Sequence, residues 1–137
     1  MSLDLVVRGG TIVDGSGAAR FSGDVGIKDG RIVEMGKVTT PAARTIDAGG
    51  LVVAPGFIDL HTHYDAQLFW DPYCTLSSWH GITSVVIGNC GFAIAPCRPA
   101  DRDITMRNLT QVEGMSLAAL RTGIRWEFET FPDYLAM

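Results

Sequence analysis

The feature that most constrains this chain is the break at Pro55-Gly56, where one kind of β patterning gives way to another. Ahead of it, short apolar runs are separated by glycine. Leu3-Asp4-Leu5-Val6-Val7 is followed by Gly9-Gly10, then Thr11-Ile12-Val13, then Asp14-Gly15-Ser16-Gly17. Glycine pairs and Asp-Gly steps supply the positive φ of tight turns, so they read as turns between strands. Asp24-Val25-Gly26-Ile27-Lys28 and Arg31-Ile32-Val33-Glu34-Met35 flank Asp29-Gly30, the strongest short-range signal for a β-hairpin. Thr45-Ile46-Asp47 and Leu51-Val52-Val53 flank one more turn at Ala48-Gly49-Gly50. Residues 3–53 are therefore expected to form a small antiparallel sheet or sandwich.

Beyond Pro55-Gly56 the pattern lengthens. Phe57-Ile58-Asp59-Leu60-His61 reads as a strand, and Ser77-Ser78-Trp79-His80 as the end of a helix. Gly81 fits the position that stops a helix. Ile82-Thr83-Ser84-Val85-Val86-Ile87, rich in β-branched residues, suits a strand buried on both faces. Strand, helix and strand over about thirty residues make a βαβ unit, whose crossover gives a parallel sheet. Helical segments follow: one over Asp101 to Val112 with Pro99 ahead of it, and one capped by Ser116 through Leu120. Thr130-Phe131-Pro132-Asp133 has the form of a third helix start, with Thr as cap, Pro in the first turn and an acid three residues on. The end at Met137, so soon after that start, leads us to expect a piece of a longer protein or one of two pieces.

Composition narrows the function classes. The chain has 137 residues, 47% of them hydrophobic and 19% charged, which suits a folded domain rather than disorder. A net charge of −4 without a basic run argues against a nucleic-acid partner. The longest apolar run is far short of a membrane span. Met1-Ser2-Leu3-Asp4 lacks a basic stretch leading into an apolar one, so no signal peptide is expected. Three cysteines, Cys74, Cys90 and Cys97, do not form a disulfide framework, and a reduced cytoplasmic setting is expected.

Chemistry is concentrated at two strand ends. His61 and His63 are two apart on one strand, so both point to one side with Cα atoms roughly 6–7 Å apart. Two imidazoles at that spacing reach one metal ion; alone, the pair reads equally as polar strand-end residues. Cys90 follows the next strand after Gly88-Asn89, and neighbouring parallel strands lie about 4.8 Å apart. Alone, a free cysteine is more often a small buried hydrophobe. Together, at the C-terminal strand ends where α/β folds build their sites, the three point to a metal, and two imidazoles with a thiolate suit zinc. Asp65 reads either as a carboxylate orienting a ligand imidazole or as a plain turn residue. Tyr64 and Trp70 either line a pocket or pack. His80 reads as a packing or capping residue, and Cys74 and Cys97 have no evident partner.

Pro55-Gly56-Phe57-Ile58-Asp59-Leu60-His61-Thr62-His63 resembles the signature of the amidohydrolase superfamily, and the glycine-rich segment before it resembles that superfamily's N-terminal portion. Gly81-Ile82-Thr83-Ser84-Val85-Val86-Ile87-Gly88-Asn89-Cys90-Gly91 resembles the N-acyl-D-amino-acid deacylase (D-aminoacylase) branch, as does Val112-Glu113-Gly114-Met115. The resemblance implies an α/β fold: a β-sandwich segment over residues 1–54, then from 55 to 137 the first two strands of a metal-dependent (β/α)8 barrel with their helices. The barrel is incomplete in this chain, because a full one takes about 250 residues. It implies one or two zinc ions, with His61 and His63 as first-strand ligands and Cys90 in place of the bridging modified lysine of other branches. It further implies hydrolysis of the amide of an N-acyl-D-amino acid by a metal-activated water. The two remaining histidines and the catalytic aspartate belong to later strands.

Two departures leave the substrate open. Tyr64-Asp65-Ala66-Gln67 stands where the deacylases tend to carry acidic residues, and Leu68-Phe69-Trp70-Asp71-Pro72 is unusually aromatic. A cyclic-amide hydrolase resembling hydantoinases or dihydroorotases is a second reading, which Cys90 opposes. A third is a non-catalytic chain that completes a site only with a partner chain carrying the rest of the barrel. By itself the chain is expected to fold poorly, bind zinc weakly and turn over no substrate.

Overall fold

A computed structural model describes residues 2–137 of the chain. Two compact units divide at Pro55 and Gly56, the second running Gly56–Met137.

The first unit is built on its hairpin. β2 (Phe21–Lys28) and β3 (Arg31–Gly36) pair antiparallel, and Asp29 and Gly30 between them have φ of 50° and 70°. Two successive left-handed residues make the turn whose twist matches that of the strands. β1 (Leu3–Ile12) pairs antiparallel with β2 on one side. Along its other edge lie β4 (Ala42–Asp47) and β5 (Val52–Val53), both parallel to it. The sheet order is β3-β2-β1-β4, with β5 continuing beside β1.

Two expectations for this unit are corrected. The sheet is mixed rather than antiparallel, because the Ala48-Gly49-Gly50 turn does not fold β5 back onto β4. The Ala48 amide donates to Arg8 O and the Thr11 amide to Leu51 O, so the chain carries on along β1. Gly9-Gly10, expected as a turn, is a bulge inside one continuous strand, with a register shift between Val7 and Gly10. Asp24 holds the bulge: Oδ1 accepts from the Gly9 amide at 2.9 Å, and Oδ2 from the Arg8 guanidinium at 3.1 Å. Glycine is required at Gly10, where an added Cβ would lie 2.5 Å from Val53 Cγ2. Leu3, Val6 and Val38 form the buried cluster of this unit.

The second unit starts with β6 (Phe57–Thr62), which pairs parallel with β7 (Ile82–Ile87). The crossover holds two short helices, α1 (Tyr64–Gln67) and α2 (Thr75–Trp79). Gly81, at φ +80°, ends the second one as its position implies. A loop and a 3₁₀ turn at Pro99–Asp101 lead to α3 (Arg102–Val112), then α4 (Leu117–Gly123) and α5 (Phe131–Leu135). Ser116 Oγ accepts from the Ala119 amide, and Thr130 and Asp133 form a reciprocal capping box. These are the caps that the residue types predict.

The core of this unit lies under the helices, not under the strands. Ala66, Ile94, Leu109, Leu120 and Phe128 are sealed from solvent. Phe128 stacks on Phe69 at 6.1 Å between ring centroids and meets Tyr134 edge-on at 5.4 Å. The expectation that Ile82–Ile87 is buried on both faces is not met within this chain, where Val86 is 40% exposed, and on β6 Ile58 is 63% and Leu60 64% exposed. Two strands alone leave their faces and outer edges open.

Candidate metal centre

β6 delivers the histidines and β7 the cysteine. β6 ends at Thr62, whose buried hydroxyl donates to Val86 O of β7 at 2.9 Å and locks the two strand ends together. His61 and His63 lie on either side of Thr62 in sequence and share the opposite side, with ring centroids 5.4 Å apart. His61 is still in the strand, its amide donating to Asp59 Oδ1, while His63 caps α1 at φ −118° and ψ 40°. On the β7 side, Gly88 (φ +73°) and Gly91 (φ +85°) turn the chain sharply around Cys90. The Asn89 side-chain amide donates to Leu60 O at 2.8 Å, anchoring that loop to the histidine strand.

Cys90 Sγ is thereby 3.5 Å from His63 Nε2. The ligand atoms of His61, His63 and Cys90 lie within 4.8 Å of one another, close enough to hold one metal ion. The donor set of two imidazoles and a thiol suits zinc by softness and by distance. The Phe92 amide also points at Cys90 Sγ from 3.4 Å. Asp59, His61, His63, Tyr64, Glu113 and Met115 line the open pocket at this mouth.

The other singled-out residues make other contacts. Asp65 is 2% exposed, and its carboxylate turns from the imidazoles to accept the Ile94 amide at 2.7 Å. Burial pushes the Asp65 carboxyl above the ordinary carboxylate value, and the Ile94 amide pulls it back. Its backbone oxygen accepts from the Tyr134 hydroxyl, whose own pKa burial, aided by the Asp65 charge, pushes up to about 12. Tyr64 lines the pocket but spends its hydroxyl on Ser77 Oγ, 2.6 Å away, tying α1 to α2. Trp70 packs over Gly123, where an added Cβ would collide with the indole. His80 closes α2, its Nδ1 2.7 Å from Leu76 O. Cys97 is buried beside the Thr105 hydroxyl, and burial together with the Asp71 charge raises the Cys74 thiol.

Sequence reasoning did not single out Glu113. Its Oε1 lies 2.9 Å from His63 Nε2, the place that Asp65 was a candidate to fill. The run Val112-Glu113-Gly114-Met115 carried a family resemblance, but nothing in its spacing told that the end of α3 returns to the strand mouth.

Known proteins resemble this chain in sequence and in fold. Residues 1–57 match the urease alpha-subunit, N-terminal domain, and residues 44–137 match the amidohydrolase family. An N-acyl-D-glutamate deacylase of Alcaligenes xylosoxydans xylosoxydans is 50% identical over 95 residues, covering 69% of this chain and 20% of that protein. The crystal structure of N-acyl-D-glutamate deacylase from Bordetella bronchiseptica, complexed with zinc and a phosphonate mimic of the tetrahedral intermediate, superposes with a TM-score of 0.71. It is 38% identical, over 99% of this chain and 26% of its own. A D-aminoacylase structure with a binuclear metal centre, described by one-metal activation and second-metal attenuation, gives a TM-score of 0.75 at 35% identity, over 98% of this chain and 26% of its own. The chain thus spans about a fifth to a quarter of the length of the curated relatives it matches. With the family match extending over most of the chain and a similar fold in a zinc-bearing relative, the chain belongs to the amidohydrolase family.

Proposed function

We propose that this chain is the N-terminal part of a zinc-dependent amide hydrolase that deacylates N-acyl-D-amino acids, with His61, His63 and Cys90 as metal ligands. The observation that carries the reading is their convergence: three donors from two adjacent strand ends, all within 4.8 Å. The relatives add the substrate class, since the similar proteins are deacylases of N-acyl-D-glutamate and D-aminoacylases. One or two zinc ions fit the zinc-bound and binuclear relatives.

In this reading β6 and β7 are the first strands of a (β/α)8 barrel, and the glycine-rich sheet is part of a β-sandwich. The exposed apolar residues Phe57, Ile58 and Leu60 then meet the remaining barrel polypeptide. The setting is cytoplasmic, in keeping with three free cysteines; among the described residues no helix is long and apolar enough to cross a membrane.

The chain's own residues prepare the mouth. His61, His63 and Cys90 would hold the ion, which would supply Lewis-acid chemistry there, polarising a carbonyl and lowering the pKa of water. Thr62 and Asn89 hold the two strand ends in register, so the donors are placed before a ligand arrives. The Phe92 amide, 3.4 Å from Cys90 Sγ, helps to orient the sulfur. The proton-transferring base and the groups that grip the substrate carboxylate come from sequence beyond residue 137.

The test is metal analysis of the full-length gene product, joined to hydrolysis assays on N-acyl-D- and N-acyl-L-amino acids. One or two zinc ions with hydrolysis of the D series is the expected result. A metal-free protein that zinc does not activate, or hydrolysis of cyclic amides alone, would overturn it.

A further inference from the structure

Two of the three donors lie beyond the strand pair that brings them together. His63 follows the end of β6, and Cys90 follows the end of β7. The ladder, locked at Thr62 and Val86, cannot by itself fix how far apart they stand. The cysteine loop is also not stiff of its own accord. Gly88 and Gly91, at φ +73° and +85°, flank Cys90, and glycine moves between backbone regions at little cost. Asn89 holds the near end of this loop to Leu60 O.

The far end is held by Asp65. It stands in the first turn of α1, the helix that His63 caps, and is 2% exposed. Its Oδ2 accepts the amide of Ile94 at 2.7 Å, and Ile94 is wholly buried. Asp65 is itself anchored from a third direction. The Tyr134 hydroxyl of α5 donates to its backbone oxygen at 2.9 Å, and its neighbour Ala66 is sealed in the core. A bond between buried partners has no water to replace it, so it holds position as well as energy. It joins the segment that starts at one donor to the loop that carries another, across the 3.5 Å between His63 Nε2 and Cys90 Sγ.

We infer that Asp65 is a positioning residue for Cys90, acting through the Ile94 amide to tie the cysteine loop to the helix that His63 begins. It thereby sets the spacing between the two halves of the donor set. The inference rests on the metal reading above but is separable from it, because the tie is present in the metal-free protein.

The experiment uses the full-length gene product, stripped of metal, and the variants D65A and D65N. Hydrogen exchange compares the loop over residues 88–94 with α3 as an internal control. Alkylation by iodoacetamide, located by peptide mass spectrometry, reads how freely Cys90 moves. Titration of Zn2+ against a chromophoric chelator reads affinity and stoichiometry. D65A should speed exchange in the loop by about tenfold while leaving α3 unchanged. It should also alkylate faster at Cys90 and bind Zn2+ about tenfold or more weakly at unchanged stoichiometry, the scale of loss for a residue that supports a ligand. D65N keeps an acceptor and should show the same changes in smaller measure, which decides the matter if D65A does not fold. Unchanged loop exchange would overturn the inference. So would equal acceleration of the loop and α3, which is the mark of a residue that only stabilises the core, or unchanged zinc affinity with a loosened loop. If the unaltered protein takes no Zn2+, the metal reading fails, while loop exchange and Cys90 alkylation still decide whether Asp65 positions the cysteine.

Discussion

The Asp65 carboxylate accepts the Ile94 amide proton at 2.7 Å, and that bond joins the helix after the histidines to the loop that carries the cysteine. Both residues are sealed from solvent, so water cannot replace the bond. The loop that carries Ile94 begins at Gly88, and Cys90 lies between the two. Holding Ile94 against α1 therefore fixes the loop from its far side, while Asn89 fixes it from the near side.

D65A is expected to leave the Ile94 amide buried and unsatisfied, at a cost of about 1–3 kcal/mol. Urea unfolding of the full-length gene product measures it. D65N keeps an acceptor for that amide and should lose less; equal losses for the two would remove the hydrogen bond as the cause.

Phe128 is the hub of the aromatic cluster, touching Phe69, Trp126 and Tyr134 at 1% exposure. F128A should cost about 3–5 kcal/mol, a large fraction of the stability of an ordinary domain. F128L fills part of the space and should cost less. A shift in the urea midpoint with unchanged slope is the reading to look for.

The first unit should lose stability in acid through Asp24. The Gly9 amide, then the Val38 amide and Arg8, hold its carboxyl below the ordinary value of 3.8, against the opposing effect of burial. A depressed folded value means that the stabilisation is present above about pH 3.8 and is lost as pH falls through the lower folded value. D24N should flatten that acid limb in a pH series of chemical unfolding. An unchanged limb would place the acid sensitivity elsewhere, for example at Asp4, whose carboxyl Lys28 also holds low.

C90S and H61A each remove one of three donors. Either should weaken zinc binding by more than the roughly 10–100-fold of an outer partner. H80A, which alters only the end of α2, should leave the metal content unchanged. Metal analysis after dialysis against a chelator distinguishes the three. Retention of full zinc by C90S would take the cysteine out of the ligand set.

What the residues determined alone is local. Asp29-Gly30 specified its hairpin, Ser116 and Thr130 specified helix starts, and Gly81 specified a helix end, because turn and cap chemistry is complete within three or four residues. The alternation of His61 and His63 with Thr62 likewise put both imidazoles on one side, since a strand repeats every two residues. Tertiary structure decided the rest. Gly9-Gly10 has turn chemistry, yet it became a bulge because Asp24, from another strand, accepts the Gly9 amide. β4 and β5 run parallel to β1 because backbone groups of β1 were available to them, which no pattern inside either strand encodes. Glu113 reached His63, and Asp65 turned to Ile94, through contacts between segments far apart in the chain. A side chain's own type limits what it can bond; which partner stands within reach is set only when the distant segments pack.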